Sequence, residues 1–178
     1  MAGAATYGTA TFAKNAELAD HIVTTPSPAP PRRDPIMITK FDSSYVGSVD
    51  LENAGYSGTP INDRRYSNED LAGVLHKAVA YAKKMDALGY DSFWMAEHHF
   101  QSEGTECIPN LLMMALHLTG VTKNLRIGCG FNVVPMWHPL RLAEDYAMAD
   151  VLSGGRVIFG VARGYHTREV ESFGAPLT

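Results

Sequence analysis

Ser92-Phe-Trp-Met-Ala-Glu-His-His-Phe100 is the stretch of sequence that decides the fold. Its first five residues, Ser92 to Ala96, are mostly apolar and predict a short buried strand. Glu97, His98 and His99 follow at once, so the strand ends on three ionisable groups. In sheets of parallel strands the carboxyl ends lie along one edge, where ligands bind. The stretch therefore predicts an α/β protein with chemistry at the end of a strand.

Helical patterns stand on both sides of this strand. Before it, Ser67 is a capping residue, apolar residues recur at helical spacing to Met85, and Gly89 is typical of a helix end. After it, Pro109 predicts the start of an apolar helix through residue 121. His138-Pro139 predicts a further helix through Asp150, ending at Gly154.

Two more apolar segments, residues 125–129 and 156–161, predict strands between and after these helices. Each is short and nearly all apolar, so we expect burial on both faces. The alternation of strand and helix predicts right-handed parallel βαβ units. A complete eight-stranded barrel needs about 250 residues, so 178 residues allow half a barrel or a small open sheet.

The amino-terminal part differs in character. Residues 1–35 contain a cluster of prolines and predict a flexible Pro-rich tail, which leaves one domain at 36–178. Residues 36–41 are a weak strand candidate, and 42–66 are rich in Gly, Ser, Asn and Asp and predict a long loop.

Composition excludes several functions. The net charge is -4, and no run of Lys or Arg predicts binding to nucleic acid or to a membrane surface. No apolar run approaches the roughly 18 residues of a membrane span, and no secretory signal is evident. Cys107 and Cys129 form no CxxC pair, which favours a reducing cytoplasm over a disulfide scaffold.

Chemistry converges where the predicted strands end. The predicted strands end on Glu97-His98-His99, on Cys129-Gly130 and on Arg163-Gly164-Tyr165-His166, and parallel strands bring these three groups to one edge. His98 is a candidate acid or base near neutral pH, with Glu97 as its orienting partner. Arg163 suits a phosphate or carboxylate and Gly164 admits a ligand to the backbone, although a salt bridge of Arg163 with Glu144 is the structural alternative.

Other residues near this edge are less specific. His138 begins a helix and is either a site residue or a helix-start residue. Arg141 and Glu144, at i and i+3, predict a plain ion pair, and Cys129 predicts a packed residue rather than a nucleophile. A metal-dependent hydrolase with Glu97, His98, His99 and His166 as ligands is disfavoured, because adjacent histidines on a strand point to opposite sides. We therefore expect no metal site.

Five motifs stand in one order: Ala96-Glu-His-His-Phe100, Ile127-Gly-Cys-Gly130, His138-Pro-Leu-Arg-Leu-Ala-Glu144, Leu152-Ser-Gly-Gly-Arg156 and Gly160-Val-Ala-Arg-Gly-Tyr165. Together they resemble the amino-terminal half of the bacterial-luciferase-like, flavin-dependent monooxygenases. The resemblance implies a (β/α)8 TIM barrel, of which this chain holds about the first four βα units.

The resemblance also implies a function. Members of that family use FMN, usually as reduced FMN from a separate flavin reductase, and O2 to oxygenate a small organic substrate. His98 matches the histidine beside the flavin, and Glu97 its neighbour. Cys129 and Gly130 match the backbone along the flavin ring, and Arg163, before Gly164 and Tyr165, matches an arginine at the flavin phosphate. His138 matches a position near the site.

Two alternatives remain open. The family chain continues for four more strands, so this sequence is expected to be a fragment or truncated product. It could be a non-catalytic half-barrel that pairs with itself as a homodimer or with a complementing chain. It could also be a deazaflavin-dependent oxidoreductase that transfers a hydride, as related members do.

Overall fold

The computed structural model describes residues 38–50, 60 and 63–176. The elements, in chain order, are β1 (Asp42–Tyr45), α1 (Asn68–Leu88), β2 (Ser92–Met95), α2 (Leu111–Val121), β3 (Arg126–Val133), a short 3-10 helix (Val134–Met136), α3 (Pro139–Ser153), β4 (Val157–Ala162) and α4 (Thr167–Ser172). The predicted tail at 1–35 lies outside the described residues.

The four strands form one parallel sheet in the order β1-β2-β3-β4. Sequence order equals spatial order, and each crossover carries a helix, as expected for consecutive βα units. The predicted α/β class with four βα units is therefore confirmed. Because all strands run the same way, their carboxyl ends share one edge of the sheet, and this edge positions the site described below.

The first strand was predicted in the wrong place. Residues 38–41, the described part of the candidate at 36–41, are not a strand, and β1 lies within the predicted loop instead. Its placement depends on tertiary contacts: the Asp42 carboxylate accepts from the Ser92 hydroxyl at 2.6 Å, and Phe41 N donates to Asp91 at 2.9 Å. A polar strand at a sheet edge is selected by its neighbour rather than by its own propensity.

Strand β3 runs four residues further than predicted and contains a β-bulge. Cys129 pairs with Phe159 and Asn132 with Val161, so three steps along β3 match two along β4. One extra residue therefore enters β3, and the peptide between Gly130 and Phe131 in this segment is cis. Bulges re-aim the side chains that follow them. After the bulge, Asn132 Nδ2 and Val133 N both donate to the Glu97 carboxylate at the end of β2.

The core lies between the sheet and α1 and α2. Phe93 and Ile127 from the central strands pack with Leu111, Ala115 and Leu118 of α2, all of them buried. The expectation of burial on both faces is correct for β2 but wrong for the outer strands. Phe159 and Val161, which share one face of β4, are 49% and 53% exposed, because the described part of the chain covers this face only in part, through Tyr146. No helix in the described part of the chain is long and apolar enough to cross a membrane.

Helix α1 begins with the predicted cap. The Ser67 hydroxyl accepts from Asp70 N at 3.1 Å, and the Asp70 carboxylate accepts from Ser67 N at 3.2 Å, which forms a capping box. Gly89 ends the helix at φ +77°, in the left-handed region that glycine adopts without steric cost. Val74, Ala78 and Ala82 are the fully buried positions of its inner face.

Replacing Ser67 with alanine should lower the free energy of unfolding by about 1 kcal/mol, since the first turn loses its acceptor. Ser67→Asn keeps a capping oxygen and is the matched control. It should change the free energy of unfolding by only a few tenths of a kcal/mol. Urea unfolding followed by circular dichroism measures both. Equal midpoints for the two variants would contradict the capping role.

Candidate functional site

The carboxyl ends of β2, β3 and β4 surround a cavity of about 430 Å³. Its lining includes seven residues singled out by the sequence, namely Glu97, His98, Gly130, Arg163, Gly164, Tyr165 and His166. Glu106 and Glu169 line it too, together with the apolar side chains of Phe131, Val133 and Ala162. A cavity of similar volume lies between α1 and α2, away from the strand ends, lined mainly by side chains such as Leu75 and Met113.

Glu97 is a buried acceptor at the end of β2, with 2% of its surface exposed. Its carboxylate accepts from Asn132 Nδ2 at 2.7 Å, Val133 N at 3.1 Å and Trp137 Nε1 at 3.3 Å, and it faces His99 Nε2 at 3.1 Å. The predicted pairing of Glu97 with His98 is therefore wrong, because the carboxylate points to His99 and to the end of β3. Glu97 ties two strand ends together beside the cavity.

Asn132 extends this network into the core. It is fully buried, and its Oδ1 accepts from the Tyr146 hydroxyl of α3. Burial raises the pKa of Tyr146 far above its usual range, so this hydroxyl stays a donor at any ordinary pH. The chain of contacts from α3 through Asn132 to Glu97 exists because the bulge places Asn132 inward.

His98 turns the other way, towards α4. Its Nδ1 lies 3.1 Å from Glu169 Oε1, and both side chains are buried. Glu169 also accepts from His99 N at 2.9 Å and from Gln101 Nε2 at 3.0 Å. Burial alone would raise the pKa of Glu169, but these hydrogen bonds and the neighbouring His98 outweigh it and hold the pKa below its ordinary value.

Because Glu169 is ionised, the tautomer of His98 follows from its contact with this carboxylate. A carboxylate can only accept, so Nδ1 carries the hydrogen and Nε2 is left towards the cavity. Nε2 lies 3.5 Å from Glu106 Oε2, which in turn lies 3.8 Å from His166 Nε2. The rings of His98 and His166 meet edge to face, with centroids 5.1 Å apart. The cavity thus presents one oriented imidazole with a second histidine and a carboxylate beside it.

Sequence reasoning missed Glu169 and Glu106. Glu169 stands three residues after His166, a spacing that one helical turn places on the same side, but α4 has only six residues and no pattern predicted it. Glu106 lies in the loop after β2 with φ +56°, a conformation costly for a non-glycine residue. Non-glycine residues with positive φ cluster at functional sites, so the backbone angle of Glu106 indicates a functional residue. This angle is visible only in the structure.

Two of the residues predicted for cofactor binding lie outside the cavity lining. Cys129 is fully buried in β3, one residue before Gly130. His138 is exposed at the N-cap position of α3 and makes no side-chain capping hydrogen bond. Arg141 and Glu144 form the predicted exposed ion pair at 3.3 Å.

The two cysteines should react slowly with thiol reagents. Burial raises the pKa of both thiols to about 11, and for Cys107 the charges of Glu103 and Glu106 add to the effect. The thiolate is the reactive form, so at pH 8 we expect a rate about a hundredfold below that of the urea-unfolded chain. Ellman's reagent on native and unfolded protein measures the ratio. A fast native reaction would show that the thiols are neither buried nor neutral.

Comparison with known proteins places these features in a family context. The family model described as luciferase-like monooxygenase matches residues 53–178. The oxygenase component of a flavin-dependent trigonelline monooxygenase from Acinetobacter baylyi is 38% identical over 112 residues, 62% of this chain and 31% of that protein. The alkanal monooxygenase alpha chain of Aliivibrio fischeri is 36% identical over 118 residues, 66% of this chain and 31% of that protein. The chain spans about a third of the length of these relatives.

Solved structures agree on the fold. The oxygenating constituent of 3,6-diketocamphane monooxygenase from Pseudomonas putida, solved in complex with FMN, has a TM-score of 0.61 at 19% identity and covers 76% of this chain and 32% of its own. The monooxygenase RslO1 from Streptomyces bottropensis has a TM-score of 0.57 at 23% identity, over 78% of this chain and 37% of its own. At these identities the likeness concerns the fold.

Proposed function

The chain belongs to the luciferase-like monooxygenase family, and on that premise we propose that it works as an FMN-dependent monooxygenase that uses reduced flavin and O2 to oxygenate a small organic substrate. The observation that supports this most is the cavity at the strand ends. It joins an oriented His98 with the backbone of Gly130 and Gly164 and with Arg163. A relative described as the oxygenase component of a flavin-dependent trigonelline monooxygenase supports the same reading.

The residues present fit a flavin. A cavity of about 430 Å³ is within the range of small-molecule sites. Phe131, Val133 and Ala162 form an apolar wall suited to a flat ring system. Gly164 lines the same cavity, and a side chain there would collide with Val133, so the glycine allows the chain after β4 to pack closely against this wall. Arg163 has the planar geometry that binds phosphate. Gly130 and Gly164 would lie along the ring, and Arg163 at the phosphate.

When bound, reduced FMN supplies the two electrons that activate O2. The role of this chain is to bind it, exclude water and manage a proton. His98 is buried and its Nε2 faces the cavity, so it can hold or deliver a proton there. Glu169 keeps Nδ1 protonated and the ring fixed. Glu97 and Glu169 each accept hydrogen bonds from several donors, so their carboxylates are held in place beside His98.

We further propose that reduced FMN reaches this chain from a separate flavin reductase. The relative from Acinetobacter baylyi is an oxygenase component, and the Pseudomonas putida protein is an oxygenating constituent, so each is one part of a larger system. An oxygenase of this kind needs no site for a nicotinamide.

Anaerobic titration with reduced FMN tests the proposal. We expect micromolar binding, seen as a change in flavin absorbance and fluorescence. Arg163→Ala should weaken FMN binding roughly tenfold, because a charge-assisted hydrogen bond to phosphate contributes about 1.5 kcal/mol or more, and should leave riboflavin binding unchanged. Arg141→Ala, an exposed arginine on α3, is the matched control and should bind FMN normally.

Three outcomes would count against the proposal. Tighter binding of a reduced deazaflavin than of reduced FMN would favour hydride transfer instead. Absence of binding to either cofactor, with a stable dimer in sedimentation, would favour the non-catalytic half-barrel. An equal effect of Arg163→Ala on FMN and riboflavin would remove the phosphate role of Arg163.

A further inference from the structure

Three side chains at the mouth of the cavity have ligand atoms directed at one another. His98, Glu106 and His166 each offer one ligand atom, and these three atoms lie within 4.8 Å of one another. The two shorter separations are 3.5 Å from His98 to Glu106 and 3.8 Å from His166 to Glu106. We propose that these three residues bind a divalent transition-metal ion of the zinc and cobalt class. This site goes beyond the proposed flavin function and shares His98 and the cavity with it, but its test in flavin-free protein does not require flavin binding.

The spacing suits a tetrahedral ion. Ligand atoms at about 2.0–2.2 Å from such an ion stand roughly 3.3–3.6 Å apart. The separation between His98 and Glu106 already falls in this range. His166 must approach Glu106 by a few tenths of an ångström and His98 by up to about an ångström. His166 and Glu106 are partly exposed, so their side chains have room to make this adjustment. Two imidazole nitrogens and one carboxylate favour zinc, cobalt or iron over magnesium or calcium.

Glu169 contacts the ring nitrogen of His98 that does not face the proposed metal ion. Histidine ligands of metals usually donate their other ring nitrogen to a carboxylate, which fixes the tautomer and raises the basicity of the ligating nitrogen. His98 has this partner, with Nδ1 at 3.1 Å from the buried Glu169. Glu169 is itself held by His99 N and Gln101, so the orientation of Nε2 is built into the fold.

The local charge also favours a cation. Glu106 and Glu169 both face His98, whereas the nearby Glu103 is neutralised by Arg168 at 2.9 Å. Glu169 already accepts from His99 N and Gln101, so a divalent ion would compensate the charge of Glu106 above all. The rejected ligand set with His99 fails for the expected reason, since His99 faces Glu97 on the other side of the strand. Glu106, from the loop after β2, is the third ligand in place of His99.

Direct metal binding tests the proposal. Flavin-free protein is titrated with Co²⁺, whose visible absorption reports its coordination geometry, and with Zn²⁺ in equilibrium dialysis. We expect one ion per chain and the intense visible band of a tetrahedral Co²⁺ site. His166→Ala and Glu106→Gln should each weaken Zn²⁺ binding by more than about a hundredfold, and Glu169→Gln by about tenfold to a hundredfold, as for partners of metal ligands.

His117→Ala is the control, since His117 is an exposed histidine of α2 outside the cluster, and it should bind Zn²⁺ like the unchanged protein. Circular dichroism confirms that each variant is folded. The proposal is overturned if the unchanged protein binds no Zn²⁺, if Zn²⁺ binding survives in both His166→Ala and Glu106→Gln, or if His117→Ala abolishes it. Mg²⁺ should not compete.

Discussion

Replacing Glu97 with alanine is expected to lower the free energy of unfolding by about 3–5 kcal/mol. The carboxylate is 2% exposed and serves four groups from three segments: His99, Asn132, Val133 N and Trp137. Removing it leaves these groups buried without an acceptor, at a cost of about 1–3 kcal/mol for each one that water cannot reach. The ends of β2 and β3 would then separate, and the cavity between them would lose its shape.

Urea unfolding, followed by circular dichroism and tryptophan fluorescence, measures this loss. Glu97→Gln keeps the volume and one carbonyl acceptor, so it should recover part of the stability. Glu144→Ala removes an exposed carboxylate on α3 and should change the free energy of unfolding by less than about 0.5 kcal/mol. If Glu97→Ala and Glu144→Ala cost the same, Glu97 does not hold the strand ends together.

Adding one methyl group at Gly160 is expected to destabilise the chain by about 1–3 kcal/mol, or more if the backbone cannot yield. A Cβ at this position would stand 2.1 Å from the carbonyl oxygen of Cys129. That atom belongs to the paired backbone of β3 beside the bulge, so it cannot rotate away as a side chain would. The clash can be removed only if β3 and β4 move apart, at the point where the cavity begins.

The same glycine-to-alanine substitution at Gly73 should raise the stability of the chain instead of lowering it. Gly73 lies inside α1, and an added Cβ there meets nothing within 4 Å. Gly73→Ala should stabilise the chain by about 0.5–1 kcal/mol, because alanine loses less backbone entropy in a helix. Thermal unfolding of the two variants in parallel compares them directly. A rise in Tm for Gly160→Ala would contradict the close contact between β3 and β4.

Local signals were sufficient for the helices and the buried strands. Ser67, Gly89, Pro139 and Gly154 mark helix ends through capping and backbone preferences that act within a few residues. Strand β2 is apolar and flanked by helices, which predicts a parallel sheet without knowledge of its neighbours. Strand β1 was misplaced because its polar residues acquire strand geometry only through pairing with β2.

Part of the candidate site followed from the same local information. Once the strands were assigned, the shared direction of parallel strands put His98, Gly130, Arg163 and Gly164 at one edge of the sheet, and the structure places all four around one cavity. His138 was grouped with them because it follows β3, but three further residues of 3-10 helix carry the chain away before α3 begins.

The sequence by itself determined the family, the order of four βα units and the edge at which polar residues collect, because these depend on short-range patterns and on ordered motifs. Only the tertiary structure decided which carboxylate serves which histidine. Glu97 is adjacent to His98 in sequence yet binds His99, whereas Glu169, 71 residues away, binds His98. Neighbouring residues of an extended chain point to opposite sides, so each side chain finds its partner among elements that folding brings to its own side.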